Sequence, residues 1–178
     1  VAAHPGVVRL VRHEKNRGYG GALRSGFAAA TMRFVAFTDG DRQFRVADLA
    51  LLLQVARERS APVTVGFRLR RADPLIRRVY AGVYRFANRF WFSLNVRDVD
   101  CAMKLFDRSV LTNVSVASNG AFFSAELLIK LRAAGVAVAE VGVPHFPRTA
   151  GSASGARLSV VLKAVRDFWS LRFALWRD

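Results

Sequence analysis

Short apolar runs alternate along the chain with longer segments whose apolar residues recur at helical spacing. The short runs predict strands at 7–11, 34–38, 63–68, 102–106 and 136–141. Helical spacing predicts helices within 16–30 and at 46–57, 74–94, 122–131 and 156–178. Strand and helix in alternation are typical of βαβ units, so we predict an α/β fold with a mostly parallel sheet flanked by helices.

The stretch 34–43 joins one of these strands to a group of polar residues. Four consecutive apolar residues, too few for a helix, predict a strand buried on both faces. Asp39 and Asp41 follow at its carboxyl end, where open α/β sheets bind ligands. Asp39, Asp41 and Gln43 are spaced two apart, so in an extended chain their oxygens lie on one side and suit Mg²⁺ or Mn²⁺. A solvated turn has the same residue types, and this stretch alone leaves both interpretations open.

A second candidate loop begins at Asn16. Gly18 and Gly20 follow it, and an alanine-rich continuation predicts a helix whose first backbone N–H groups could face an anion. The loop lacks the Gly-Lys-Ser/Thr of a Walker motif, and Leu23 stands where a dinucleotide fingerprint has its third glycine. An ordinary glycine-rich turn is the alternative.

The charge balance points to a polyanionic partner. The chain has 178 residues, with 28 Lys+Arg against 13 Asp+Glu and a net charge of +15. Nucleic acid, an anionic membrane surface and a phosphorylated ligand are all consistent with this charge. The segment 74–94 is basic, amphipathic and aromatic, which suits either an anionic membrane surface or a core helix with a solvated edge.

Several functional classes are excluded by missing patterns. The three histidines are scattered and Cys101 is the single cysteine, so neither a zinc site nor an internal disulfide is expected. No zinc-finger, KH or RNP1 pattern occurs, so nucleic-acid binding would depend on charge alone. No apolar run approaches 18 residues, so we predict no spanning helix.

Six stretches, taken in order, resemble family 2 glycosyltransferases of the polyprenyl-phosphate, dolichol-phosphate mannosyltransferase-like type. They are Asn16-x-Gly18-x-Gly20, Thr38-Asp39-Gly40-Asp41-x-Gln43, Val65-Gly66-x-Arg68, Asp98-x-x-Cys101-x-x-Lys104, Glu140-Val141-x-Val143-Pro144 and Arg148-x-x-Gly151. The likeness covers nearly the whole chain. It implies a GT-A-type, Rossmann-like domain at 1–155, followed by an amphipathic helix at 156–178 that packs on the domain or on a membrane surface.

The same resemblance implies a function. The family moves a sugar from a nucleotide-sugar donor to a polyprenyl-phosphate lipid acceptor, with Mg²⁺ or Mn²⁺ as cofactor. The expected location is the cytoplasmic face of the membrane, as a peripheral protein, with no nucleic-acid partner. A non-catalytic basic module for anionic membrane or nucleic acid, or an inactive fragment of the transferase, is the alternative.

Roles are carried over from the family position by position. The metal would be held by Asp39, Asp41 and Gln43. The donor nucleotide would lie by Asn16, Gly18, Gly20 and Asp39. Asp98 and Asp41 would be the catalytic residues. Asp98 would orient the acceptor or act as a base. Phosphates would be held by Arg68, Arg148, Ser152 and Ser154.

The chain departs from the family pattern at a few positions. Arg42 replaces the usual apolar residue inside the acidic turn, and Phe67 stands where a small residue is common. The family's opening strand and helix have no counterpart before the segment 7–11, so we expect the sequence to be incomplete at its N-terminus.

Overall fold

The computed structural model describes residues 6–69, 75–147 and 158–177. Its strands are β1 (Phe34–Phe37), β2 (Val63–Arg68), β3 (Lys104–Asp107) and β4 (Val138–Val143). Its helices are α1 (Gly18–Ala29), α2 (Leu49–Glu58), α3 (Leu75–Phe92), α4 (Arg108–Thr112), α5 (Phe123–Ala133) and α6 (Leu158–Arg177). A single 3₁₀ turn, Val46–Asp48, leads into α2.

The four strands form one mixed sheet in the order β1-β3-β2-β4. β3 is antiparallel to both of its neighbours, whereas β2 and β4 are parallel. β1, β2 and β4 therefore run in one direction and β3 alone runs in the other. The predicted α/β fold with a mostly parallel sheet is confirmed, since three of the four strands share a direction and helices pack on both faces.

Three strand predictions differ from the structure. Residues 8–13 form no strand, and the segment lies along α1, where Arg9 donates to the carbonyl oxygen of Ala29 and His13 is hydrogen-bonded to Ser25 at 2.8 Å. β1 is not buried on both faces, because it lies at the edge of the described sheet and only Val35 is buried in it. The last strand begins and ends two residues later than predicted.

The sheet separates two apolar clusters. Successive residues of a strand point to opposite faces, so Phe106 enters the larger cluster with α5, while Leu105 enters the smaller one with α2. In the larger cluster, the Phe168 ring of α6 lies 4.8 Å from that of Phe92 and 5.8 Å from that of Phe122. The inner face of α6 is thus part of the domain core.

No helix within the described ranges is both long and apolar enough to cross a membrane.

Candidate functional site

The acidic turn follows β1 and is tied to the segment after β4. Asp41 Oδ1 accepts a hydrogen bond from the Gln43 backbone N–H at 3.0 Å, which closes the turn on itself. The Phe146 N–H donates to the Gln43 carbonyl at 3.0 Å, and Gln43 Nε2 donates to the Phe146 carbonyl at 3.3 Å. Asp39 is exposed and Asp41 is half-buried. The two aspartates therefore sit on a fixed turn at the carboxyl end of β1, as predicted.

Asp98 is held by Arg68, the last residue of β2. Arg68 Nε lies 2.7 Å from Asp98 Oδ2, and Arg68 Nη2 lies 2.8 Å from Asp98 Oδ1. The Arg68 backbone N–H also donates to Oδ2, at 3.3 Å. Two parallel charge-assisted bonds fix both the position and the orientation of a carboxylate. Two residues with separately predicted roles, one for phosphate and one for the acceptor, thus form a single unit.

Lys104, the first residue of β3, is completely buried beside this unit. Its Nζ donates to the Cys101 carbonyl and lies 5.4 Å from the centre of the Phe37 ring. Burial lowers the pKa of Lys104, and the nearby charges of Asp100, Asp98 and Asp39 act in the opposite direction. Lys104 therefore lies among three aspartates that come from two separate stretches of the chain.

Lys104 belongs to the motif Asp98-x-x-Cys101-x-x-Lys104, but no role was predicted for it. The signal was present, because a lysine inside an apolar strand is buried at a large cost unless charged or polar groups surround it.

The first turn of α1 lies beside Asp39. Burial raises the pKa of the Tyr19 hydroxyl well above its usual range, and the negative charge of Asp39 adds to that effect. A hydrogen bond with Ser124 of α5 acts in the opposite direction. The Tyr19 ring packs edge-on against Phe123, with ring centres 6.4 Å apart. The Asn16 loop and the acidic turn, which are remote in sequence, are therefore neighbours in space.

Gly18 and Gly20 have packing roles in this arrangement. Gly18 has φ +74°, a conformation that favours glycine, and its N–H donates to Asn16 Oδ1 at 2.7 Å. The Gly20 N–H donates to the Asn119 carbonyl at 3.1 Å, and a Cβ at Gly20 would lie 2.4 Å from the Ser118 carbonyl oxygen. α1 can approach the 118–119 loop this closely only without side chains at these positions.

Buried Glu126 fixes the loop on which α1 rests. Its two carboxylate oxygens each accept a 2.8 Å hydrogen bond, one from the Ala117 N–H and one from the Ser118 N–H. Arg24 of α1 donates to the Val116 and Ser118 carbonyls at 3.1 and 2.9 Å. The loop and the helix are therefore locked together around Gly20.

Two cavities adjoin these residues. One, of about 230 Å³, is lined by Arg78, Ala81, Gly82, Tyr84, Arg85, Arg97, Asp98, Val99 and Asp100. The other is more open, about 520 Å³, and is lined by Asn16, Arg17, Gly18, Arg24, Asn119 and Lys163. Of the predicted catalytic and donor residues, Asp98 lines the first cavity and Asn16 and Gly18 line the second, whereas Asp39, Asp41 and Gly20 line neither of these two. Both linings also contain arginines or lysine, a composition suited to anionic ligands.

The arginines at 78, 85 and 97 were not predicted as site residues. Arg78 and Arg85 are seven residues apart and share a face of α3, which their spacing in the sequence could have indicated. Three predicted phosphate-binding residues, Arg148, Ser152 and Ser154, lie outside the described residues. Within the described ranges, no group of three or more His, Cys, Asp or Glu side chains is arranged to hold a metal ion.

The fold and the acidic turn define an α/β domain with a polar site at the carboxyl ends of its parallel strands. Residues 1–114 match the glycosyl transferase family 2 model. The chain belongs to glycosyl transferase family 2. This confirms the prediction of a nucleotide-sugar-dependent glycosyltransferase with a GT-A-type fold.

Two relatives agree with this assignment. An uncharacterized glycosyltransferase of Mycobacterium tuberculosis (strain H37Rv) is 32% identical over 176 residues, covering 96% of this chain and 78% of the relative. Dodecaprenyl-phosphate galacturonate synthase of Rhizobium johnstonii is 25% identical over 171 residues, covering 93% of this chain and 49% of that protein.

A solved structure has the same fold. Glucosyl-3-phosphoglycerate synthase of Mycobacterium tuberculosis in complex with UDP superposes with a TM-score of 0.66 at 19% identity. The match covers 87% of this chain and 55% of that one, so the chain spans about half the length of the solved structure.

Proposed function

We propose that this domain transfers a sugar from a nucleotide-sugar donor to a lipid-linked phosphate acceptor of the polyprenyl-phosphate type, with a divalent cation, at the surface of a membrane. The observation that carries the proposal is the placement of Asp39 and Asp41 on a fixed turn at the carboxyl end of β1, in a sheet whose parallel strand β2 carries the Arg68–Asp98 pair at its own carboxyl end. The lipid acceptor is further supported by the relative from Rhizobium johnstonii, whose name includes dodecaprenyl phosphate.

The acidic turn fits a hard cation such as Mg²⁺ or Mn²⁺. Such cations are bound in proteins by one or two carboxylates together with substrate phosphates, so Asp39 and Asp41 would be sufficient protein ligands. Gln43 would support them by holding the turn against Phe146. Another structure of the mycobacterial synthase contains Mn²⁺ and UDP-glucose. When bound, a cation would offset the charge that develops on the diphosphate leaving group.

The Arg68–Asp98 unit would position the acceptor. A phosphate monoester has a second pKa of about 6, so at neutral pH it is largely ionised and needs no strong base. Asp98, with both oxygens directed by Arg68, would orient the acceptor and would be a general base only for a hydroxyl acceptor. Arg78, Arg85 and Arg97 line the cavity that contains Asp98 and would attract the acceptor phosphate.

Donor binding would involve the first turn of α1. Asn16 and Gly18 line the open cavity, and Tyr19 places that turn next to Asp39. Gly20 would contribute indirectly, by letting α1 rest on the 118–119 loop. Arg148, Ser152 and Ser154 remain proposed phosphate ligands on the strength of the family resemblance.

A transfer assay tests the proposal. The chain is incubated with a set of radiolabelled nucleotide sugars, Mn²⁺ or Mg²⁺, and polyprenyl phosphate, and lipid-soluble label is counted. We expect metal-dependent transfer that chelator abolishes and that Asp41→Asn reduces by about 10²-fold or more, as for loss of one strong electrostatic contact to the transition state. Asp48→Asn is the matched control, because Asp48 lies beyond the turn and pairs with Arg45.

Two results would contradict the proposal. Transfer only to a phosphorylated small acid such as phosphoglycerate, and not to polyprenyl phosphate, would reject the lipid acceptor. Full transfer in the presence of chelator would reject the metal role of Asp39 and Asp41.

A further inference from the structure

Five exposed aromatic rings form a continuous band across α3 and α6. The rings of Phe86 and Phe90 lie 6.0 Å apart, those of Phe90 and Trp91 5.3 Å apart, and those of Trp91 and Trp169 5.1 Å apart. Phe173 extends the series, 6.1 Å from Trp169. We call these five residues the aromatic band. Each has between 38% and 68% of its surface exposed, so none is part of the domain core.

Further exposed apolar side chains extend the band along both helices. Val79 and Val83 precede it on the same face of α3, while Leu162, Val165 and Trp176 are exposed on α6. α6 has 20 residues, so its apolar face is about 30 Å long at 1.5 Å per residue. Soluble monomers rarely expose continuous apolar surfaces of this size, so a partner is expected to cover this one.

Positive charge borders the band. Arg78, Arg85 and Arg89 recur at spacings of seven and four residues, which places them in one stripe along α3. The guanidinium of Arg172 on α6 lies 5.8 Å from the centre of the Trp91 ring. A helix pair with aromatic rings beside a basic stripe has the composition of helices that lie in the headgroup region of anionic bilayers.

The described parts of α3 and α6 contribute little negative charge to this surface. α3 contains no acidic residue in its sequence, and the one acid of α6, Asp167, accepts a hydrogen bond from Ser118 at 2.9 Å, toward the domain. A second copy docked on this face by two-fold symmetry would bring two arginine stripes together without carboxylates of α3 or α6 to pair them. Charge complementarity therefore favours an anionic lipid surface over self-association.

We propose that the aromatic band docks on an anionic lipid bilayer, with α3 and α6 lying in the plane of its headgroups. The inference deepens the proposed function and rests on it in one respect, because a lipid-linked acceptor would be present in the same bilayer. Arg78 and Arg85 belong to α3 and also line the cavity that contains Asp98. Docking by this face would hold that cavity beside the headgroups, where a phosphate on a lipid chain is found.

The tryptophans make the docking measurable without a label. The chain has three tryptophans, Trp91, Trp169 and Trp176, and all three lie on this surface. Vesicles of phosphatidylcholine with phosphatidylglycerol should shift the tryptophan emission to the blue and sediment with the protein. Vesicles of phosphatidylcholine alone should bind at least tenfold more weakly, because the arginine stripe would have no anionic partner.

Matched variants test whether vesicle binding depends on this face and not on other parts of the surface. Phe86→Asp and Phe173→Asp should each weaken vesicle binding at least tenfold, and Arg89→Glu several-fold. The controls are Met32→Asp, an apolar side chain that is more exposed than Phe86 or Phe173 but remote in sequence, and Arg57→Glu on α2; both should bind like the unmodified chain. Circular dichroism verifies that each variant is folded.

Three outcomes would overturn the docking. They are absence of binding to anionic vesicles, equal weakening by Met32→Asp and Phe86→Asp, and a dimer in sedimentation velocity that Phe86→Asp dissociates. Sugar transfer is measured separately with a short, water-soluble polyprenyl phosphate, which needs no bilayer. Lost vesicle binding with retained transfer rejects the docking alone, whereas retained binding without transfer rejects the proposed function alone.

Discussion

Arg68 and Asp98 meet through two parallel hydrogen bonds, 2.7 Å from Nε to Oδ2 and 2.8 Å from Nη2 to Oδ1, with both side chains largely buried. The pair joins the end of β2 to the segment that precedes β3. Such a contact fixes Asp98 in the lining of its cavity, and it ties the geometry of the site to the stability of the domain.

Removing one partner of this pair should destabilise the domain. Asp98→Ala leaves a buried guanidinium without its carboxylate, and loss of one member of a buried pair costs about 3–5 kcal/mol, so we expect about 2–4 kcal/mol here because Arg68 keeps some contact with solvent. Urea unfolding measures the loss. Arg33→Ala, which breaks an exposed pair with Asp107, should cost about 1 kcal/mol or less. Equal losses of unfolding free energy for both variants would show that the Arg68–Asp98 pair stabilises the domain no more than the Arg33–Asp107 pair does.

The charge of Asp98 can be tested separately from its shape. Asp98→Asn keeps a hydrogen-bonding side chain but could not accept a proton. With a phosphate acceptor we expect transfer to fall less than about tenfold, whereas a general base would be worth about 10²–10⁴-fold with a hydroxyl acceptor. The ratio of kcat/KM for the two acceptor types is the measurement. A loss of similar size with both acceptors would mean that Asp98 acts in the same way on each.

The close approach of α1 to the 118–119 loop should make Gly20 sensitive to substitution. A Cβ at Gly20 would lie 2.4 Å from the Ser118 carbonyl and 2.6 Å from the Phe123 ring, so Gly20→Ala should cost about 1–3 kcal/mol or more through overpacking. Gly26 lies in the same helix with nothing within 4 Å of its Cβ position. Gly26→Ala should therefore stabilise by about 0.5–1 kcal/mol. Thermal unfolding of both variants is the measurement, and equal effects would contradict the packing role.

The local pattern of apolar and polar residues was sufficient to predict most helices and strands and the acidic turn, because these depend on residues that are close in the sequence. The β2 bounds match the prediction, and Asp39 and Asp41 follow β1 as expected. Pairing between distant segments was not predictable in the same way. The segment 7–11 has a strand-like composition but pairs with no described strand, and the reversed direction of β3 depends on contacts with β1 and β2.

The roles of individual site residues depended still more on distant contacts. The family resemblance pointed to Arg68 and Asp98 separately, and only the fold brings them together as a pair. Lys104 was visible as a charge within an apolar run, yet its three aspartate neighbours come from 39, 98 and 100. Gly20 has the residue type of a phosphate loop, and in the structure it packs against a carbonyl.

Buried Lys104 should make stability rise with pH. Burial lowers its pKa in the folded state, while the unfolded chain keeps a pKa near 10.5. Between these two values the unfolded state binds more protons, so the free energy of unfolding increases with pH up to about 10.5. Lys104→Met keeps a similar volume and removes this dependence. Urea unfolding of both proteins is measured from pH 6 upward. The free energy of unfolding of the unmodified chain should rise with pH relative to that of the variant, and parallel curves would contradict the prediction.

Cys101 should have the opposite effect at high pH. Burial raises the pKa of its thiol from 9.0 to about 11, so the folded protein keeps the proton after the unfolded chain has lost it. The stabilisation is complete below pH 9 and is lost between 9 and about 11, by about 2–3 kcal/mol at 1.36 kcal/mol per pH unit. Cys101→Ala lacks a thiol and should show no such loss, while Lys104 is retained in both proteins. If the unfolding free energies of the two proteins differ by a constant amount from pH 8.5 to 11, the thiol ionises as readily in the folded domain as in the unfolded chain.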